Sequence, residues 1–256
     1  MPIITLTTDF GLKDYFVAAV KGEIFKQCPQ AQIVDISHQI GKHDIEEASY
    51  VFKCAYKYFP AGTIHIVSVN VKAAKEPKFL IIKHKGHFFI GPDNGLFSLM
   101  FKEETFNEIY EIEIKQLASL LFPAADVFAE VAAKLANNAA LHELASPITY
   151  MVKKQKLNPT FDGRGIKGMV VHIDTYENLV SNIQKDLFEK VVQNKPFRVS
   201  IRSGEMDRIF NNYNDVPVGE QLCLFNSAGH LEIAMNKGKA SSLLGIFKND
   251  KVQVVF

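Results

Sequence analysis

"TLTTDFGLKDYF", Thr5 to Phe16, sets two carboxylates, Asp9 and Asp14, in the turn where a short apolar strand stops and a helical stretch begins. Ile3, Ile4 and Leu6 form the strand, Gly11 sits inside the turn, and the helix begins at Tyr15. An Asp before a helix satisfies orphan N–H groups and suits the helix dipole, which accounts for one of the two acids. A carboxylate also accepts two hydrogen bonds at once, as a diol or an ammonium would supply. Ligands of open α/β sheets bind at the carboxyl ends of strands. Capping and ligand binding both remain open on this stretch alone.

Working outward, strands and helices alternate. Val17 to Cys28 carries Val17, Val20, Ile24 and Phe25 at helical spacing and stops at Pro29. "AQIVDIS" (31–37) reads as a buried strand. "DIEEASYVFKCAYKYF" reads as a helix with Asp44 as N-cap and Glu47 at capping-box spacing. "TIHIVSVN" is a third strand ending at Asn70, and "FLIIKHKGHFFIGPDNG" is a hairpin closing on Gly91–Gly95. "ADVFAEVAAKLANN" is a helix. Alternation of this kind predicts a mostly parallel sheet covered on both faces. Beyond the basic, Pro- and Gly-punctuated linker "KKQKLNPTFDGRG" come short strands with few helical patterns: "IKGMVVHIDTY", "FRVSIRS", "QLCLFNS", "GHLEIAMN" and "KVQVVF". They predict a small antiparallel barrel or sandwich. The expected architecture is α/β: an α/β domain with a mixed sheet over 1–158, then a smaller antiparallel β-barrel domain over 164–256.

Composition narrows the function. With 256 residues, 47% hydrophobic, 22% charged and a net charge of +1, the chain reads as an ordinary globular protein without a nucleic-acid or membrane-attracted face. No apolar run approaches the roughly 18 residues of a membrane span, and the N-terminus lacks signal-peptide character. Cys28, Cys54 and Cys223 form no C-x-x-C pair, which points to a reducing cytoplasm. No G-x-G-x-x-G follows the first strand, and "GRGIKG" at Gly163 lies in the linker, against a nicotinamide enzyme. His38, His65, His172 and His230 lack metal-ligand spacing, so they read as structural or surface residues and no metal is expected.

"TTDFGLKDYF", "IVDISHQIGKHDIEEAS", "GPDNGLFSLM", and the pair "HIDTYENLVSNI" with "NSAGHLEIAMNKG" together resemble the S-adenosylmethionine hydroxide adenosyltransferases, the family that also contains fluorinating and chlorinating enzymes. The resemblance runs in order along nearly the whole chain. It implies a Rossmann-like α/β domain followed by a β-barrel, a homotrimer, and S-adenosylmethionine bound between the first domain of one subunit and the barrel of the next. It further implies that Asp9 takes the ribose hydroxyls and Asp14 faces the methionine ammonium. Asp174 and Asn178 would hold the amino-acid end, Tyr176 would cover the ligand, and Ser227 with Glu232 would line the adenine side. Asn94 of "GPDNG" joins this ligand-binding set. Turn hydrogen bonding alone is the competing account of Asn178 and Ser227. No cofactor is implied, S-adenosylmethionine being the substrate or ligand.

The reaction that the resemblance implies is displacement of methionine at the 5′ carbon, for which a protein has to place a nucleophile in line and exclude competing water. For water as nucleophile the family supplies an Asp, an Arg and a His. The Asp normally opens a D-P-G-V-G stretch; here "VNVKAAKEPK" puts Asn70 in its place. The Arg falls at Pro77 or Lys78, and the His is Pro123 in "FPAADVF". Asn70 has no basic group and Pro123 has no polar side chain. Three expectations follow: weak hydrolysis, use of a halide in place of water, or a non-catalytic sensor of S-adenosylmethionine or adenosine. His43 stands where halogenating relatives carry a Trp against the nucleoside. Lys72, Lys75 and Lys78 read as a solvated lysine-rich loop rather than an anion site.

Overall fold

Three apolar strands side by side organise the first part of the chain. In the computed structural model, which describes residues 1–72, 75–101, 108–114, 121–155 and 157–256, β1 (Ile3–Thr8) lies between β2 (Gln32–Ser37) and β3 (Ile64–Ser68), parallel to both. The chain divides into two compact units, Met1–Gln155 and Lys156–Phe256.

In the first unit, β3 pairs in parallel with β5 (His87–Pro92). β4 (Phe79–His84), β6 (Glu108–Ile112) and β7 (Ala145–Ile148) then add antiparallel pairings, giving the order β2-β1-β3-β5-β4-β6-β7. The sheet is therefore evenly mixed rather than mostly parallel, because a hairpin and two further antiparallel strands follow the crossover region. α1 (Phe16–Gln27), a π-helical turn (Ala124–Ala129) and α4 (Glu130–Ala136) pack on the face carrying Ile4, Leu6, Ile64 and Ile66. α2 (Ile45–Tyr56) and α3 (Leu96–Met100) cover Val67, Leu80, Ile82 and Phe89 on the other.

Local chemistry departs from the sequence expectation at several points. β2 is an edge strand and is not buried, with Val34 38% exposed. α1 buries Val20 and Ile24 but leaves Phe25 exposed, since its core-facing stripe is narrow. Asp44 caps α2 through the N–H groups of Glu46 and Glu47, yet Glu47 accepts from Gly41 N–H at 3.0 Å instead of closing a reciprocal box. β3 ends at Ser68, two residues before Asn70.

The second unit contains β8 (Thr160–Asp162), β9 (Gly165–Ile173), β10 (Leu179–Gln184), α5 (Lys185–Val192), β11 (Arg198–Ile201), β12 (Gly204–Met206), β13 (Gln221–Phe225), β14 (His230–Met235), α6 (Ala240–Leu244) and β15 (Lys251–Val255). Its antiparallel sheet runs β12-β11-β15-β9-β10-β14-β13, with β8 on β9. Phe210, just beyond β12, bridges to Leu224 of β13, so the sheet is nearly barrel-shaped. Its interior holds Ile166, Val170, Leu179, Val199, Ile233 and Val252. Two features escaped the sequence patterns: the linker's end is the β8–β9 hairpin, and α5 interrupts the strands. The amphipathic α5 spans two turns, too few for a periodic signal.

Candidate functional site

The strand order places a switch point between β1 and β3. The chain leaves β1 for β2 on one side and returns from β2 to β3 on the other, the topology at whose carboxyl end open α/β sheets bind their ligands. Asp9, the first residue after β1, is buried there, 8% exposed. Its Oδ2 accepts the backbone N–H of His43 at 3.0 Å and that of Asn70 at 3.4 Å. Lys42 Nζ donates to its carbonyl at 2.7 Å. His43 and Asn70 both hold left-handed backbone, φ 63° and 50°, conformations uncommon outside glycine. Two strained residues from different loops thus aim amides at one carboxylate oxygen. Among the described residues no hydrogen bond falls on Oδ1.

Asn94 completes this corner. Its amide donates to the carbonyls of Val69 and Asn70 at 2.9 and 3.0 Å and its Oδ1 accepts Leu96 N–H, so it fixes the loop after β3 to the start of α3. Asp14 lies exposed in the loop before α1, whose first turn has no side-chain cap, so helix capping does not account for it. Pro123 is buried at the start of the π-helical turn, beside Phe122, which packs against Phe10 and Phe16 with ring centroids 5.5 and 5.3 Å away. Lys78 pairs with Glu111 at 2.8 Å, its ammonium held up by that hydrogen bond. Lys75 is exposed, as a solvated loop lysine should be.

Next to Asp9 lies a linked set that the sequence reading left among structural histidines. Thr8 Oγ1 is 2.9 Å from His38 Nδ1, and His38 Nε2 is 3.1 Å from Asp35 Oδ1. Lys21 Nζ stands 2.7 Å from Asp35 Oδ2. Partial burial pushes the Asp35 carboxyl up, but Lys21 and His38 outweigh it and hold it below its ordinary value. The His38 carbonyl also accepts Gly11 N–H at 2.7 Å.

In the second unit, Asp174 and Asn178 close the β9–β10 hairpin. Asp174 Oδ1 accepts the N–H groups of Tyr176 and Asn178 at 2.9 and 2.8 Å, and Oδ2 accepts the Asn178 amide at 3.0 Å. Tyr176 projects from this turn, 77% exposed. Glu232 on β14 is buried and accepts Tyr213 O–H at 2.8 Å and the Asn226 amide at 3.1 Å. Burial, and secondarily the nearby charge of Asp174, push the Glu232 carboxyl up despite these two donors. Burial and then Glu232 push the Tyr213 phenol up strongly. Ser227 is exposed in the β13–β14 turn that Asn226 shapes by accepting the N–H groups of Ala228 and His230. Tyr213 and Asn226 were not singled out in the sequence; Tyr213 lies in the polar turn "NNYND", where no periodicity marks it. Among the described residues, no three His, Cys, Asp or Glu side chains could hold a metal ion, and no helix is long and apolar enough to cross a membrane.

The chain matches the SAM hydroxide adenosyltransferase N-terminal domain over residues 4–145 and the C-terminal domain over residues 168–253. It is 31% identical to an (R)-S-adenosyl-L-methionine hydrolase of Methanocaldococcus jannaschii, covering 100% of this chain and 97% of that protein. It is 23% identical to a fluorinase of an Actinoplanes species, over 92% of this chain and 91% of the relative. A crystal structure of an uncharacterized conserved protein from Thermotoga maritima superposes with a TM-score of 0.89 at 31% identity, covering 99% of this chain and 100% of the other. With both domains matched in order, the chain belongs to the SAM hydroxide adenosyltransferase family.

Proposed function

We propose that this protein binds S-adenosylmethionine or adenosine and that, with the usual Asp, Arg and His replaced at Asn70, Lys78 and Pro123, its hydrolysis of S-adenosylmethionine to adenosine and methionine is slow. The observation that carries the reading is Asp9, buried at the switch point of a chain whose relative is named a hydrolase of this substrate. Oδ2 is pinned by two backbone amides, which turns Oδ1 into a preoriented acceptor for a ribose hydroxyl. Asp14 is the anion for the methionine ammonium, and Asn94 shapes the wall of the pocket.

The first unit supplies a Rossmann-like platform. Asp174, Tyr176, Asn178, Ser227 and Glu232 close the site from the second unit of a neighbouring subunit in a homotrimer. No cofactor is required, because the sulfonium leaves as a neutral thioether. The buried thiols of Cys28 and Cys223 suit a reducing cytoplasm.

Slow chemistry follows from the side chains at the three positions. Asn70 offers an amide without basicity, Lys78 is engaged with Glu111, and Pro123 contributes no polar group. A halide needs no base, so the same losses favour chloride or fluoride as an alternative nucleophile. A sensor needs no nucleophile at all. One experiment separates these outcomes: incubate the pure protein with S-adenosylmethionine, with and without chloride, follow products by chromatography, and record ligand-induced melting shifts in parallel. Slow adenosine release with a clear shift supports the reading. A 5′-halo product selects the halide, and a shift without product selects the sensor. The absence of any shift at millimolar ligand overturns it.

A further inference from the structure

We propose that Thr8, His38 and Asp35 form a proton relay that takes up the proton of a water held at the end of β3, in place of the base missing at position 70. The proposal rests on the reading of the chain as an S-adenosylmethionine-binding protein that retains slow hydrolysis.

Three observations carry it. The contacts Thr8 Oγ1–His38 Nδ1, 2.9 Å, and His38 Nε2–Asp35 Oδ1, 3.1 Å, line up a hydroxyl, an imidazole and a carboxylate in the order of a hydrolase triad. His38 Nε2 stands at ion-pair distance from Asp35 Oδ1 without a formed hydrogen bond, a contact that a charged imidazolium would strengthen; on the other side Nδ1 accepts and the Thr8 hydroxyl donates. Second, the Thr8 and His38 side chains are buried while Asp35 is 38% exposed, so the line runs from the switch point to solvent. Third, Ser68 faces Thr8 in the β1–β3 register, and Ser68 Oγ is buried without a hydrogen-bond partner. A buried orphan hydroxyl calls for a bound water or ligand group. A water between Ser68 Oγ and Thr8 Oγ1 satisfies it and stands one residue before Asp9 and two before Asn70. A purely structural His38 explains its carbonyl bond to Gly11 but not the orphan hydroxyl opposite its partner.

The step balances. The water oxygen bonds to the 5′ carbon as the carbon–sulfur bond breaks, its electron pair going to the sulfonium, which departs as neutral methionine. The water proton passes to Thr8 Oγ1 as the Thr8 proton passes to His38 Nδ1. The imidazolium so formed is held by Asp35. When adenosine leaves and the cleft refills, the proton returns through Thr8 to solvent, and S-adenosylmethionine plus water has become adenosine, methionine and a proton. Thr8 touches the water; His38 acts through Thr8 and is a positioning residue. The charged groups facing the ring are Asp35 on β2 and, behind it, Lys21 on α1; β1 presents the neutral Thr8.

The test measures adenosine release by the full-length protein between pH 5 and 9, with melting shifts reporting binding. Thr8→Val should lower kcat on the order of a hundredfold with KM unchanged, and Thr8→Ser should restore it. His38→Asn keeps a hydrogen bond towards Thr8 but takes no proton, so it should lower kcat and abolish the fall in rate on the acid side. Thr8→Val at the wild-type rate, or His38→Asn with the wild-type pH profile, overturns the relay. So does a wild type that binds S-adenosylmethionine yet releases no adenosine at any pH. A wild type showing no melting shift overturns the functional reading beneath, and the relay with it.

Discussion

The backbone N–H of His43 donates to Asp9 Oδ2 at 3.0 Å, across 34 positions of sequence and from a left-handed backbone. Asn70 does the same from the other side. Asp9 is thereby both a candidate ligand group and the clip that joins the loops after β1 and β3 to the loop before α2.

Those two roles separate by substitution. Asp9→Ala leaves two amides without their acceptor and should cost about 1–3 kcal/mol in urea unfolding. Asp9→Asn retains an acceptor oxygen and should recover most of that stability. Neither variant should show the melting shift with S-adenosylmethionine, because a diol needs the charged, doubly accepting group. A full shift in Asp9→Asn would show that the carboxylate's charge is unnecessary.

Gly91 near the end of β5 is required by space. A Cβ there would lie 2.5 Å from the Val67 carbonyl oxygen and 3.0 Å from the Phe97 ring. The first contact is backbone, so β3 and β5 would have to part at the strand end that leads to Asn70. Gly91→Ala should destabilise by about 1–3 kcal/mol or more and weaken ligand binding together with it, read by denaturant midpoint and thermal shift.

A histidine pair sits at the opposite end of the strands from Asp9. His65 Nδ1 is 2.7 Å from Thr5 Oγ1 and its Nε2 is 3.2 Å from His87 Nδ1, inside a wall of Phe52, Tyr56 and Phe89. Burial, and then His87, push His65 down to about 3; burial, and then His84, push His87 down. A folded pKa below the unfolded value near 6.5 means that the unfolded chain binds the extra proton first. Stability is therefore complete above about pH 6.5 and falls as pH drops towards 3, by about 1.4 kcal/mol per pH unit for His65, with His87 adding a loss in the same direction. His65→Gln should flatten the acid limb of a stability profile measured by urea melts; an unchanged limb would assign the acid loss to carboxylates.

Tyr213 and Glu232 form a second coupled pair. The raised folded pKa of Glu232 means that ionising it costs stability as pH rises above the unfolded value of 4.5, and the Tyr213 O–H offsets part of that cost. Tyr213→Phe removes the donor, so it should destabilise by about 1–3 kcal/mol at pH 7 and by less at pH 4.5. Glu232→Gln in the Tyr213→Phe background should remove the pH dependence of that penalty. Equal losses at both pH values would place the Tyr213 contribution in packing alone.

The strand–turn–helix opening at Thr5–Phe16, the hairpin that closes on "GPDNG", the Asp44 cap and the β-rich second unit were all legible in the residues alone. Each depends on local periodicity, capping or turn chemistry within a dozen residues. The same locality made Asp9 legible as a candidate ligand group, since it follows the first strand directly, and drew attention to Asn70 and Pro123 by their place in the chain. It took the three-dimensional arrangement to make β2 an edge strand, to make half the pairings of the first sheet antiparallel, and to bring Glu47 to Gly41. That arrangement alone brought the amides of His43 and Asn70 onto one oxygen, set Tyr213 and Asn226 on Glu232, and placed Thr8 beside His38 and opposite Ser68. These partners are tens of residues apart, and a hydrogen bond forms only within about 3 Å. Strand order and register set that distance, and no local pattern encodes them.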